Sequence, residues 1–183
     1  NTMVLVANRT LPVRSAKDQV ALGKSRPGEL VYASAGIGNL THLAGELLRV
    51  EAGLKVLHVP YKGESPAFTD LVGGQTAYMF SAALGVAAHI ASGKLRLLAT
   101  CGETRANAFP NAPTMVESGW PKVVVTGWGG WLAPTGTPAD IIQKVQRDAA
   151  RVLALPEMRE RLGTLGAEPR DHPRDEAGDP PGR

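Results

Sequence analysis

The chain has 183 residues, 43% of them hydrophobic and 20% charged, a balance that fits a soluble globular protein with a sizeable core and excludes disorder for most of its length. Its net charge of +3 comes from 20 basic and 17 acidic side chains, and the basic ones form no stripe and no RNP-like or zinc-finger spacing, which argues against nucleic acid as a partner. Cys101 is the single cysteine, so an internal disulfide and a cysteine-based metal cluster are both excluded and either redox compartment is allowed.

In chain order, residues 3–7 are an apolar run that predicts a strand. A helix is expected over 15–24, with Ser15 as N-cap and Asp18 near the capping-box position, ended by Pro27-Gly28. Residues 30–34 predict a strand, and Ala35-Gly36-Ile37-Gly38 a glycine loop. A helix over 40–50 then carries Leu40, Leu43, Leu47 and Val50 as its apolar stripe. Further strands are expected at 56–59, 77–80 and 95–99, with helices at 66–72 and 83–91 between them. A helical turn follows at 114–118, then strands at 123–126 and 130–133 around an aromatic turn. The strongest helix runs over 138–155, with Ile141, Ile142, Val145, Val152 and Leu155 on one face and Pro138 at its start. Pro156 opens a last helix. Strands alternating with helices predict an α/β fold with a mainly parallel sheet covered on both faces. The tail 170–183 contains almost nothing to bury and is expected to be disordered.

No apolar run approaches the roughly 20 residues of a membrane span. The opening Asn1-Thr2-Met3-Val4-Leu5 has none of the features of a signal peptide, so an exported protein would carry its signal upstream of it.

Among the loops, Ser34-Ala35-Gly36-Ile37-Gly38-Asn39 joins a strand end to a helix start. Unpartnered amides and the positive end of the helix dipole favour an anion there, and Ser34, Asn39 and Thr41 add side-chain donors. The alternative is a tight turn with no ligand. Thr41 stands where a dinucleotide loop needs its third glycine, and no P-loop pattern is present. Gly63-Glu64-Ser65-Pro66-Ala67 approaches a nucleophile elbow but ends in alanine, and His42, His58, His89 and His172 sit where histidine is usually structural. No two histidines share a metal-ligand spacing, and no cofactor is expected. Trp128 and Trp131 read either as an aromatic wall or as packing residues, and Lys62 either as a carboxylate-attracting cation or as a solvated lysine.

Taken in order, Thr41-His42-Leu43, His58-Val59-Pro60-Tyr61-Lys62-Gly63, Asp70-Leu71-Val72-Gly73-Gly74-Gln75, Gly93-Lys94-Leu95-Arg96, Pro113-Thr114 and Ala133-Pro134-Thr135-Gly136-Thr137-Pro138 resemble the Bug-type receptors of tripartite tricarboxylate transporters. The resemblance covers roughly residues 4–169. It implies a periplasmic-binding-protein-like α/β fold, with one complete lobe of mainly parallel sheet and part of a second. It also implies a periplasmic solute-binding receptor rather than an enzyme, whose lobes close on a small organic carboxylate and dock on membrane transporter subunits. The share of the site carried over to this chain is Ser34, Ala35, Gly36, Gly38, Asn39 and Thr41, then Tyr61, Lys62 and Gly63, then Ser81 and Ala82. The expected organisation is a crossing segment at 1–10, the ligand-binding lobe at 11–122 and a return into the other lobe at 123–169.

The chain departs from the family pattern in three places. The Pro-Gly-Gly loop with which relatives begin is missing, which implies N-terminal truncation. Ser81 stands where aspartate is common, and the tail does not continue the family's terminal helix. The competing reading from another class is an α/β hydrolase-like enzyme with Ser65 as nucleophile. A third is a remnant that keeps the lobe without a complete site.

Overall fold

A computed structural model describes residues 2–167, and the expected disorder of 170–183 lies outside these residues. Five strands and six helices follow in the order β1 (Met3–Asn8), α1 (Ala16–Ser25), β2 (Val31–Ser34), α2 (Leu40–Glu51), β3 (Leu57–Pro60), α3 (Glu64–Gly73), β4 (Tyr78–Ala82), α4 (Ala83–Ala91), β5 (Leu95–Thr100), α5 (Ala139–Ala154) and α6 (Pro156–Thr164). The sheet order is β3-β2-β4-β1-β5. Strands β3, β2 and β4 are mutually parallel, whereas β1 pairs antiparallel with both β4 and β5. Four of the five strands therefore share one direction, and β1 runs against them inside the sheet. Met3–Asn8, within the segment expected as a crossing, thus form a strand inside the sheet.

Strands β1, β2 and β4 are buried on both sides, as a largely parallel sheet with helices on each face requires, whereas the edge strand β3 is partly exposed. Period-two alternation along β1 sends Met3, Leu5 and Ala7 to one apolar cluster and Val4 and Val6 to the other. The first cluster includes Tyr32, Tyr78 and Phe80 of the sheet with Val20 of α1 and Ala44 and Leu48 of α2. The second sets Ala33 and Met79 against Ala67, Phe68 and Leu71 of α3 and Val86 of α4.

Local chemistry accounts for the element ends. The Asp18 amide donates to Ser15 Oγ at 3.1 Å, and the Arg14 amide donates to the Asp18 carboxylate at 2.9 Å, so α1 starts on a reciprocal cap. Helix α3 ends at Gly74, whose φ of 82° is the left-handed geometry of a glycine stop.

Three expectations are overturned. Helix α2 does not bury the stripe Leu40, Leu43, Leu47 and Val50. Its buried residues are Thr41, Ala44, Gly45 and Leu48, while Leu43 and Val50 are exposed. The reason is steric: Tyr32 lies flat under the helix, and a Cβ on Gly45 would overlap its ring. The small face must therefore meet the sheet, whatever the leucines prefer. Secondly, no strands form at 123–126 or 130–133. Thr126 makes only an isolated bridge to Thr2, and Val125 instead donates its amide to the Cys101 carbonyl. Thirdly, Trp128 and Trp131 do not pack into the core of the described residues, being 77% and 79% exposed, which leaves the readings of an aromatic wall and of packing between lobes.

Helix α5 has the apolar face that its sequence predicts, yet none of its residues is buried. Among the described residues no helix is long and apolar enough to cross a membrane.

Candidate functional site

Because β3, β2 and β4 are adjacent and parallel, their C-terminal ends at Pro60, Ser34 and Ala82 lie along one edge of the sheet. Each leads into a helix, so the N-termini of α3, α2 and α4 line that edge together. Three partial positive charges converge there, an arrangement that favours a negatively charged ligand.

The glycine loop, residues 34–39, is pinned to the loop after β3. The Tyr61 amide donates to the Ser34 carbonyl at 2.9 Å and the Gly63 amide to the Ala35 carbonyl at 3.0 Å. These bonds continue the β2–β3 pairing beyond the strands. They bring the backbones so close that a Cβ on Gly36, whose φ is 137°, would stand 3.2 Å from the Tyr61 carbonyl oxygen. Gly38 has a φ of 78° and open space around it. Its requirement is conformational rather than steric.

Side chains complete the loop. Asn39 caps α2 by accepting the Thr41 amide at 3.0 Å, and Thr41 Oγ1 accepts the Ala35 amide at 2.8 Å. Ser34 Oγ accepts the Gly36 amide at 3.2 Å and lies 2.7 Å from His58 Nε2. The Gly38 amide donates to His42 Nδ1 at 3.1 Å. The expectation of unpaired amides from Gly36 to Asn39 is therefore corrected, since Gly36, Gly38 and Asn39 all donate within the loop and its helix. At the starts of α2 and α3, the amides of Ile37, Leu40, Lys62, Glu64 and Ser65 take no partner among the described residues.

The other expected residues divide. Gly63, with a φ of 107°, is the N-cap of α3. The Lys62 side chain is exposed beside it. The Tyr61 hydroxyl turns away to donate to Asp70 at 2.7 Å, and burial, followed by that bond, pushes the phenol up to about 12. Ser81 is buried, with its hydroxyl 3.2 Å from the Glu64 carboxylate, while Ala82 caps α4 with backbone alone.

Sequence reasoning left Glu64 out of the site and read His42 and His58 as structural. Glu64 Oε2 sits over Gly85 in the first turn of α4, where a Cβ would come within 2.6 Å of it. The imidazoles of His42 and His58 stack at 4.3 Å, His58 stacks on Tyr32 at 4.7 Å, and Tyr32 on Tyr78 at 5.6 Å. Burial, with the neighbouring His42 charge second, lowers the His58 pKa. The Tyr32 hydroxyl donates to Glu46 at 2.7 Å, and Glu46 pairs with Arg49. Only the register of β2 against β3, which sets Tyr32 opposite His58, could have revealed this stack.

Ser65 lies in an open groove of about 540 Å³ with Phe68, Gly85 and His89, but its hydroxyl makes no hydrogen bond to an imidazole among the described residues. Ser34 and His58 do pair, yet Ser34 is fully buried, so no substrate reaches its hydroxyl. Among the described residues, no three His, Cys, Asp or Glu side chains are grouped to hold a metal.

Comparison with known proteins adds to this geometry. Residues 1–176 match the family model described as the tripartite tricarboxylate transporter family receptor. Protein BugT of Bordetella pertussis is 37% identical over 167 residues, which are 91% of this chain and 51% of that protein. The structure of Rpa4515 from R. palustris with adipate superposes with a TM-score of 0.89 at 30% identity, over 92% of this chain and 56% of that one. MatC from Rhodopseudomonas palustris with bound malate superposes with a TM-score of 0.83 at 29% identity, over 91% of this chain and 57% of that one. The chain thus spans about half the length of the relatives it matches.

Proposed function

The chain belongs to the tripartite tricarboxylate transporter receptor family, and on that premise we propose that it is a ligand-binding lobe of an extracytoplasmic receptor that captures a small carboxylate. The observation that carries this reading is the convergence of three helix N-termini at the end of the parallel β3-β2-β4 segment. The free amides of Ile37 and Leu40 at one helix, and of Lys62, Glu64 and Ser65 at the next, are the donors for a carboxylate. Ser34, Ala35, Gly36, Gly38, Asn39, Thr41 and Gly63 shape the seat, while Tyr61, Ser81 and Ala82 support it from behind. Lys62 adds a screened positive charge at the rim.

In this reading the five-stranded sheet is the second lobe, residues 123–169 lead toward the first, and the ligand closes the two. The transporter's membrane subunits are the docking partners and the periplasm is the place of work. Adipate and malate, held by the structural relatives, are the probes of choice. Titrating either into the ¹⁵N-labelled chain should shift the amides of residues 36–40 and 62–65 first, in the millimolar range expected of roughly half a site. Shifts confined to the α3–α4 groove, or none at ten-fold higher ligand, would place the seat elsewhere.

A further inference from the structure

Both ends of the glycine loop are held by imidazoles that stack on each other. Ser34 opens the loop and lies against His58 Nε2, while Gly38, near its close, donates its amide to His42 Nδ1. The tip has few other tethers. Nothing lies within 4 Å of the position a Gly38 Cβ would take, and the other bonds there belong to its neighbours: Gly36 bonds Ser34 Oγ and accepts the Asn39 amide, while Asn39 caps Thr41 and accepts the His42 and Leu43 amides. The ring stack from His42 through His58 and Tyr32 to Tyr78 fixes the plane of the His42 ring, so Nδ1 is aimed at Gly38.

A nitrogen that accepts an amide N–H carries a lone pair and no proton. In this geometry His42 is therefore neutral, with its proton on Nε2. We propose that His42 is a proton-sensitive latch on the glycine loop, holding the Gly38 amide while neutral and releasing it when Nδ1 takes a proton from solvent. The protonated ring presents N–H toward N–H, so the bond is lost and the Gly38 amide is freed to turn outward.

The titratable and charged groups around the pair bear on where the proton goes. The pKa of His58 on β3 is lowered by burial first and by the neighbouring His42 charge second. Glu46 on α2 lies near both rings and acts against the lowering of His58. It is itself bonded to Tyr32 of β2 and paired with Arg49 of α2, and Tyr78 of β4 closes the stack. His42 is thus a positioning residue, and the latch adds a proton-dependent control to the carboxylate seat proposed above. It rests on that reading only for its consequence, because the loop can be observed without ligand.

The test is a pH titration of the ¹⁵N-labelled 183-residue chain by NMR. At neutral pH the His42 ring should show the Nε2–H tautomer. On acidification, the Gly38 amide shift should follow the His42 midpoint while the amide of Leu98, a buried residue of β5, stays constant. His42→Gln offers an oxygen in place of Nδ1 but cannot titrate, so its Gly38 amide should lose that pH dependence. His42→Ala should show the freed Gly38 amide at every pH. A Gly38 amide indifferent to the His42 titration, a proton on Nδ1 at neutral pH, or an unchanged Gly38 titration in His42→Gln overturns the proposal. Should Leu98 move at the same pH, the His42→Gln comparison still decides. Failure of adipate or malate to perturb the loop would count against the seat and leave the latch standing.

Discussion

At the residue scale, glycine decides the shape of the site in two ways. Gly36 and Gly38 adopt backbone angles that other residues resist, and Gly36 also admits the Tyr61 carbonyl. Gly45 has ordinary helical geometry and serves a different need, since the Tyr32 ring occupies the space of its missing side chain. Gly45→Ala should therefore force Tyr32 away from His58 and loosen the stack beneath the loop. Overpacking of this kind costs about 1–3 kcal/mol, a loss that chemical denaturation would read. A neutral or stabilising result, as helix propensity alone would give, would mean that Tyr32 moves freely.

At the element scale, the three site helices and α5 form a contrast. Helices α2, α3 and α4 each bury a face against the sheet, whereas α5 buries none of its residues and contacts mainly α6. Its apolar face leaves Ile141 50%, Val145 46% and Val152 40% exposed. Ile141→Gln with Val145→Gln removes apolar surface that touches no core, so folding stability should change by less than about 0.5 kcal/mol. Self-association, measured by sedimentation velocity, should fall because the exposed patch shrinks. A stability loss above about 2 kcal/mol would show that the face is covered in the folded monomer. The pattern of α5 was plain in the sequence because its apolar residues recur at helical spacing. That of α2 misled because its strongest hydrophobes lie beside, and not on, the face that Gly45 and Ala44 turn to the sheet.

At the scale of the whole molecule, titration should give stability a plateau with two acid shoulders and one alkaline one. The folded state holds His58 below its ordinary 6.5, so the unfolded chain binds the extra proton and stability falls as pH drops below that value. Glu46, lowered first by its bond to Arg49, adds a further loss as pH falls below 4.5. On the alkaline side, burial raises the Cys101 thiol above its ordinary 9.0, so stability falls again as pH rises past it. Urea midpoints across pH should therefore be flat between 6.5 and 9.0 and fall on both sides. His58→Gln should remove the first acid shoulder without touching the alkaline one. Persistence of that shoulder would assign it to another histidine.

Much was legible before any coordinates. Hydrophobic period and punctuation place eleven elements to within a few residues, and the Ser15–Asp18 cap and the Gly74 stop are local chemistry that the chain carries with it. The glycine loop, too, announces a strand-to-helix turn, because only particular residues tolerate its angles. Adjacency was not legible, for it depends on which strand lies beside which. The order β3-β2-β4-β1-β5 draws three helix ends to one edge, reverses β1 within the sheet, sets His58 against Tyr32 and carries Glu64 over the start of α4. Local sequence constrains φ, ψ and periodicity, whereas a pairing between residues distant in the chain is chosen by the packing of the whole core. The turn at Gly36–Gly38 could be read from its residues, but its imidazole supports could be seen only in the folded sheet.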